Sequence, residues 1–324
     1  MLKKFIKNNF INILIIIFLL FVTLYQFPYY IKKTGGIINL NERIDYKKNK
    51  EEGSLNMAYV SEAKGTLLNL MISKINPNWD VFKKDDTNID VDEAYFRNKM
   101  MLKESVDHAF ILAYKKSGLE VNIKKNKLYV TYIYSEANTD LKVKDQIISI
   151  NNQKVNTKSD INDILSSLNE NDNLKIEVIN DNEKYTRYAK VIKIRKTNLI
   201  GIVVTEDKTL KLNPEIKIKF KNSESGSSGG LMMALALYNK LSNDDIIRGR
   251  KIVGTGTIDE YGTVGSIDGV KYKLRGAVLN KADIFIVPKG DNYKEALNEK
   301  EKNGYKIQLI AVDSFDEVIE YLKR

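Results

Sequence analysis

The chain has 324 residues, of which 43% are hydrophobic and 29% charged, so it can bury the cores of about two domains. It has no cysteine and one histidine, which excludes disulfides, thiol catalysis, and metal sites built on cysteine or on two histidines of one chain. The net charge of +10 comes from basic residues interleaved with acidic ones. Because no basic stripe with stacking aromatics stands out, we expect no nucleic-acid partner.

The first element in chain order is an uncharged run over residues 8–31. Residues 11–22 are almost wholly apolar, and about 20 such residues cross the hydrocarbon of a bilayer. Lysines at positions 3, 4 and 7 favour an inside N-terminus. A cleaved signal peptide is the alternative, but no small-x-small cleavage site follows the run. Residues 1–33 are therefore predicted to be a cytoplasmic N-terminus and a single-pass transmembrane anchor in the cell membrane, with the rest of the chain extracytoplasmic.

Residues 34–118 are predicted to form a linker, an N-terminal strand and a helical extension. A strand-like run begins at Gly65, and residues 91–116 place apolar side chains at helical spacing. His108 lies in this predicted helix beside Asp107. A catalytic base is one interpretation of this histidine, and an ordinary helix-surface histidine is the favoured one.

Residues 119–196 have the composition and turn signals of a β-rich module. Strands are predicted at 128–134 and 147–150, an amphipathic helix at 159–168, and a hairpin from 174 to 194.

This order resembles that of PDZ domains associated with bacterial proteases. The family's residue pattern is matched at Val130, Ile133, Ser135, Ala137, Leu141, Asp145, Ile148, Ile150, Asn151 and Val155. Glu136, Lys144 and Asn152 stand where the family has Pro, Gly and Gly. The resemblance implies a groove in which an extended peptide adds as a strand.

A Ser/Gly-rich loop over residues 222–230 leads directly into an apolar helix. Ser228 would lie at or just before the helix N-terminus, where free N–H groups and the helix dipole stabilise an oxyanion. Residues 226–230 also fit G-x-S-x-G, but an α/β-hydrolase elbow needs a later histidine and none follows His108. Taken alone, this loop fits a catalytic serine and a structural helix cap about equally well.

A catalytic serine without histidine needs another base, and a lysine serves when burial lowers its pKa. Residues 269–279 are predicted to be helical, and Lys273 borders the apolar stripe that contains Val270 and Ala277. Because a lysine beside an apolar face usually only snorkels, the spacing alone does not make Lys273 a base.

Three segments resemble motifs of the Lon proteolytic domain. Gly226-Ser-Ser-Gly-Gly corresponds to the nucleophile loop G-P-S-A-G, Gly254-Thr-Gly-Thr to M-T-G-E, and Asp268-Gly-Val-Lys-Tyr-Lys to G-G-L-K-E-K. Ser227 replaces the family's Pro and Gly229 its Ala.

The resemblance implies that Ser228 is the nucleophile, that Lys273 is the general base, and that Thr255 supports the lysine by a hydrogen bond. The order of anchor, PDZ-like module and protease is similar to that of membrane-anchored, PDZ-containing Lon-like serine proteases of Gram-positive bacteria. No G-x-x-x-x-G-K-[ST] ATPase motif occurs in these residues, so the implied protease would not need ATP. No metal or organic cofactor is implied.

The expected fold class is α+β, with an N-terminal transmembrane helix, a PDZ-like module at 119–196 and a Lon-type proteolytic domain at 197–324. The expected function is an ATP-independent, membrane-anchored serine endopeptidase with a Ser-Lys dyad that cleaves extracytoplasmic peptides or exposed, unfolded protein segments. A homo-oligomer is left open, because Lon domains tend to form rings. The alternative is a non-catalytic, PDZ-like peptide-binding scaffold on the membrane. A signal-peptidase-like Ser-Lys enzyme would place its serine much nearer the anchor.

Overall fold

The computed structural model describes residues 8–46, 52–84 and 90–324. The helices in these ranges are α1 (Phe10–Leu24), α2 (Leu67–Ile75), α3 (Val91–Lys116), α4 (Lys158–Ser166), α5 (Gly230–Leu241), α6 (Val270–Leu279), α7 (Asp291–Asn303) and α8 (Phe315–Lys323). The strands are β1 (Gln26–Lys33), β2 (Ile37–Asn39), β3 (Ile44–Asp45), β4 (Ser54–Ala58), β5 (Ser61–Thr66), β6 (Trp79–Lys83), β7 (Val121–Ile133), β8 (Gln146–Ile150), β9 (Gln153–Lys154), β10 (Asn173–Asn180), β11 (Glu183–Lys190), β12 (Ile192–Ile194), β13 (Thr197–Leu199), β14 (Ile202–Leu212), β15 (Lys217–Ile218), β16 (Lys251–Gly254), β17 (Thr257–Ile258), β18 (Val264–Gly265), β19 (Ile284–Pro288) and β20 (Gln308–Val312).

The uncharged N-terminal run divides between a helix and a strand, and the predicted transmembrane helix is wrong. α1 has 15 residues, which span about 22 Å, less than the roughly 30 Å of bilayer hydrocarbon. The helix ends because Tyr25 has an extended backbone, and the residues after it form β1, which pairs with β5 and β6. Within residues 8–46, 52–84 and 90–324, no helix is long and apolar enough to cross a membrane.

A second prediction is wrong for the segment that begins at Gly65. We predicted a strand there, and most of the segment forms the helix α2. β5 ends at Thr66, whose side chain accepts a hydrogen bond from Asn69 N at 3.3 Å and caps α2. A threonine cap satisfies an otherwise unpaired N–H of the first helical turn, so the apolar residues that follow form a helix. The three antiparallel strands β5-β1-β6 and α2 thus make a small N-terminal unit.

The β-rich module is a sheet with the strand order β11-β10-β8-β7-β14, and β9 pairs with β8. Its strands and helix overlap the predicted ones, although β7 begins at Val121 and not at 128, and α4 ends at Ser166 and not at 168. Asn151 and Asn152 both have positive φ in the turn between β8 and β9. Thr157 and Asp160 cap α4 reciprocally. The core of the module, from Leu128 to Ile200, is made by the module's own side chains. β7 and β14 continue beyond this core as a long antiparallel ribbon.

The C-terminal part is built around the five-stranded sheet β2-β4-β16-β19-β20. All its pairings are parallel except that of β2 with β4, and α6 and α7 connect successive parallel strands. α6 and α7 pack on one face, while α3, α5 and α8 pack on the other. This is a mixed α/β layer structure, which corrects the α+β expectation. The physical reason is that each parallel connection requires a crossover helix against the sheet.

The segment at 34–118 completes this domain. β4 is an inner strand between β2 and β16, and Leu55 in it is fully buried. α3 has the predicted bounds, and its Phe110, Leu112 and Ala113 are buried in the same core as α5. Residues far outside 197–324 therefore supply a central strand and a covering helix to the C-terminal core.

Charged side chains join the ribbon to α3. Lys208 of β14 is buried and pairs with Glu206 at 3.0 Å and Glu260 at 2.8 Å. Desolvation acts to lower the pKa of Lys208, but hydrogen bonds to Glu260 and Glu206 outweigh it, so its pKa is raised. Asp107 of α3 accepts a hydrogen bond from Lys208 N at 3.0 Å. The pairing compensates for the desolvation of these charges.

This division of the core predicts which fragments fold alone. A fragment of residues 121–212 retains the whole module core and is expected to unfold cooperatively. A fragment of residues 197–324 lacks β4 and α3, leaves the buried side chains of α5 uncovered, and is expected to show no cooperative thermal transition. Circular dichroism melting of both fragments beside the full chain measures this. A cooperative transition in the 197–324 fragment would contradict the assignment of β4 and α3 to the C-terminal core.

Candidate active site

Ser228 lies immediately before the N-terminus of α5. The helix begins at Gly230 after an N-cap glycine, Gly229, which offers no side-chain cap. Ser228 is half-buried, and Met233 N donates to Gly229 O at 3.0 Å in the first turn. Among the described residues, no acceptor is recorded for the backbone N–H groups of Ser228 and Gly229. Two N–H groups at the positive end of a helix are thus available to an oxyanion next to Ser228.

Close packing explains the two glycines after Ser228. A Cβ on Gly229 would lie 2.7 Å from Met57 Sδ, and one on Gly230 would lie 2.5 Å from Ser105 Oγ. Gly229 stands where the Lon motif has alanine, and the methionine of β4 fills the space that a methyl group would take. The helix terminus therefore approaches β4 and α3 closely.

The carbonyl of Ser228 is fixed by the turn that follows β16. Thr255 Oγ1 donates to Ser228 O at 3.0 Å, and Gly256 N donates to the same oxygen at 2.8 Å. In return, Leu231 N donates to Gly256 O at 3.1 Å. Thr255 is fully buried. These hydrogen bonds fix the Ser228 backbone next to the end of the central strand β16.

Lys273 lies in α6 with its side chain 3% exposed, among the apolar residues Val270, Leu274 and Ala277. Lys273 Nζ donates to Thr255 Oγ1 at 3.1 Å. Desolvation lowers the pKa of Lys273 to about 8, because burial disfavours the ammonium form. The charges of Asp268 and Glu295 act in the opposite direction and are the smaller effect. A substantial fraction of the amine is therefore neutral near pH 8.

The structure brings the three residues of the predicted site together. Thr255 joins them, since it accepts from Lys273 Nζ and donates to the Ser228 carbonyl. No direct hydrogen bond between Ser228 Oγ and Lys273 Nζ is recorded for these two described residues. His108 is occupied elsewhere: its Nδ1 lies 3.1 Å from Ile258 O, and the carbonyl requires that this nitrogen donate. The favoured structural interpretation of His108 fits this contact.

A cleft of about 680 Å³ opens beside Ser228. Its apolar lining comes from several elements: Ile37, Ile38, Met57, Leu102, Phe220 and Met233. Four of these six precede residue 197, and the sequence gives no motif by which to find them. The edge strand β2 borders the cleft, so an extended chain can lie along it.

Acidic and histidine side chains do not form a metal-binding cluster in the described ranges. Among residues 8–46, 52–84 and 90–324, no group of three or more His, Asp or Glu side chains is placed to hold a metal ion. The polar groups that converge at Ser228 are instead N–H donors, a threonine hydroxyl and a buried amine.

Comparison with known proteins identifies the C-terminal part. Residues 214–323 match the family described as the Lon protease (S16) C-terminal proteolytic domain. This part of the chain is therefore similar to the proteolytic domain of a serine-protease family. No curated protein matches the chain.

Solved structures with similarity to this chain include two domains from Listeria. One is the PDZ domain of an SdrC-like protein from Listeria monocytogenes, with 19% sequence identity, a TM-score of 0.24, and coverage of 26% of this chain and 92% of that chain. The other is the second domain of the Listeria protein Lin2157, with 21% identity, a TM-score of 0.22, and coverage of 26% and 88%.

The buried lysine predicts a pH-dependent cost in stability. Because each pKa unit corresponds to about 1.4 kcal/mol, lowering the pKa of Lys273 from 10.5 to about 8 costs the folded state about 3 kcal/mol below pH 8. The cost declines as pH rises from 8 towards 10.5. Replacing Lys273 by Met removes it. We expect urea unfolding to show the stability advantage of Lys273→Met shrinking by about 1 kcal/mol or more between pH 7 and pH 9.5. A pH-independent difference between parent and variant would contradict the burial of this charge.

Proposed function

We propose that this chain is an ATP-independent serine endopeptidase in which Ser228 is the nucleophile and Lys273 the general base. The observation that carries the proposal is the buried Lys273 amine, with its pKa lowered to about 8 and bonded to the threonine that holds the Ser228 carbonyl. A base with a pKa near the working pH is what general-base catalysis needs. The Lon-type domain over residues 214–323 supports the same reaction class.

In the proposed reaction, neutral Lys273 takes the proton of Ser228 Oγ as this oxygen attacks the scissile carbonyl. The unoccupied N–H groups of Ser228 and Gly229 stabilise the oxyanion. Lys273 then gives its proton to the leaving amine as the C–N bond breaks. Water then attacks the acyl-enzyme as its proton passes to Lys273. Lys273 returns that proton to Ser228 Oγ as the ester C–O bond breaks, which releases the acid product and regenerates the neutral amine. The first step needs Ser228 Oγ within hydrogen-bonding distance of Nζ. A neutral amine can accept that proton through its lone pair while it still donates to Thr255 Oγ1.

The proposed substrate is an extended peptide or an unfolded protein segment. The cleft beside Ser228 has the edge strand β2 on one side and an apolar floor that includes Met57 and Met233. A folded protein does not present its backbone to such a cleft. These 324 residues contain no ATPase motif that would drive unfolding, so exposed segments fit best. The extracytoplasmic location of these substrates stays a prediction of the sequence.

The PDZ-like module is proposed to recruit the substrate. An apolar groove of about 400 Å³ lies between α4 and the exposed edge of β14, lined by Ile161, Leu165, Ile202 and Val204. An edge strand beside a helix accepts an added peptide strand. This groove also favours the second candidate function, a peptide-binding scaffold without catalysis.

Substitution at the dyad separates these two functions. We expect Ser228→Ala and Lys273→Ala to lower cleavage of an unstructured peptide by at least about a thousandfold, because each removes a group that takes part in bond making. Ser227→Ala is the matched control, since Ser227 contributes only its backbone carbonyl to the recorded hydrogen bonds. Mass spectrometry of the products measures the rate and the cleavage sites. Equal cleavage by the parent, Ser228→Ala and Lys273→Ala would contradict the dyad.

The pH profile tests the role of Lys273 separately. Activity needs the neutral amine, and its fraction rises with pH through a pKa of about 8. We expect kcat/KM to rise about tenfold between pH 7 and pH 9 and then to level off. Initial rates with a peptide that has no titrating groups in this range give the profile. A rate that falls over the same interval would exclude Lys273 as the base.

A further inference from the structure

We propose that Lys99 of α3 is a positioning residue for the nucleophile loop, which we define as residues 219–229. This inference rests on the proposed function and goes beyond it, since Lys99 lies far outside the Lon-type segment 214–323 and belongs to no motif of that domain.

The loop has little regular structure of its own. Residues 219–229 contain neither helix nor strand, and Gly226 has a φ of +86° with no atom near its missing Cβ. The N-cap of α5 is a glycine without a side-chain cap. The position of Ser228 therefore depends on groups that reach the loop from other elements.

Lys99 supplies two of these contacts. Its Nζ donates to Asn222 O at 2.6 Å and to Glu224 O at 2.8 Å. Hydrogen bonds from an ammonium group are shorter and stronger than neutral ones, and here a single amine links two carbonyls of one turn. The side chain is half-buried and also lies over the ring of Tyr95, with Nζ 5.4 Å from its centroid.

Two other residues of α3 also bind the nucleophile loop, at positions closer to Ser228. Gly226 N donates to Asn98 O at 3.0 Å, and buried Ser105 donates from Oγ to Ser227 O at 3.1 Å. Together with Lys99 they hold the loop along nearly two turns of the helix. The last of these contacts is made to the residue directly before Ser228.

A second cation holds the opposite side of the loop. Arg43 pairs with Glu224 Oε1 at 2.7 Å and donates to Lys219 O at 3.2 Å. Arg43 also lines the cleft, so its replacement would disturb peptide binding as well as loop position. Lys99 is not among the residues that line the cleft, although much of the loop that it holds does line it. Its replacement therefore removes no side chain of the binding site and acts on the cleft only through the position of the loop.

This separation gives the expected kinetic signature. Displacement of a nucleophile by about 1 Å costs up to roughly a hundredfold in rate. Lys99→Met in the full chain is expected to lower kcat, and the rate of Ser228 acylation by a fluorophosphonate, at least about tenfold. KM for a short unstructured peptide is expected to change less than kcat, since the variant removes no side chain that lines the cleft. The apparent pKa of the rate is unchanged, because Lys273 keeps its surroundings.

Two further variants distinguish positioning from a loss of folding. Lys99→Arg retains a cation that can reach both carbonyls and is expected to recover most of the rate. Lys115→Met removes the same charge from the exposed last turn of α3 and is expected to keep the parent rate. Thermal unfolding of each variant is measured beside the kinetics.

The outcomes are distinct. A tenfold loss of kcat in Lys99→Met with a smaller change in KM and recovery in Lys99→Arg supports the proposal. Parent cleavage that is abolished in Ser228→Ala but kept within twofold in Lys99→Met overturns this inference alone. Equal losses in Lys99→Met and Lys99→Arg that follow a lowered Tm overturn it in favour of a purely structural role. Parent cleavage that survives Ser228→Ala overturns the proposed function and this inference with it.

Discussion

The desolvation of the Lys273 amine is the interaction on which the site depends. An ammonium group buried in an apolar core is unfavourable, and here the cost is large enough to lower its pKa to about 8. The apolar face of α6 imposes this cost by packing on the parallel sheet. The same packing brings Nζ to Thr255, at the end of β16. The packing of α6 on the sheet therefore both lowers the pKa of Lys273 and places the amine near the loop that contains Ser228.

The sheet determines the rest of the site geometry. β16 ends at Gly254, and the two residues that follow bind the Ser228 carbonyl through a side chain and a backbone N–H. Hydrogen bonds to the end of a central strand thus fix the position of Ser228. The helix α6, which packs on the sheet, fixes the position of Lys273. Because both elements belong to a close-packed core, the two residues have little freedom to separate.

α3 joins the two halves of the molecule. Its N-terminal half contacts the nucleophile loop, and its middle contacts the ribbon of β7 and β14. There Lys103 Nζ donates to Lys208 O at 2.8 Å, and Asp107 accepts from Lys208 N at 3.0 Å. Glu104 of α3 pairs with Lys158, a residue that also lines the groove of the β-rich module. The groove, through Lys158, and the nucleophile loop, through Lys99, therefore both contact α3.

The sequence alone predicted the residues and the chemistry of the candidate site. The absence of a histidine after His108, the loop before an apolar helix, and the motif resemblance together indicated Ser228, Lys273 and Thr255. Helical and strand periodicities located α3, β8 and α4 well, because these elements carry one buried face each. Tertiary structure decided the remaining points. An apolar run does not reveal where a helix stops and an edge strand begins, so α1 and β1 were merged into one transmembrane helix. The burial of Lys273, the insertion of β4 into the C-terminal sheet and the contact of Lys99 with the nucleophile loop all join residues far apart in the chain. Such contacts depend on which faces of the helices and strands pack together in the folded chain. A local sequence pattern indicates that a face is buried, but it does not identify the element that covers it.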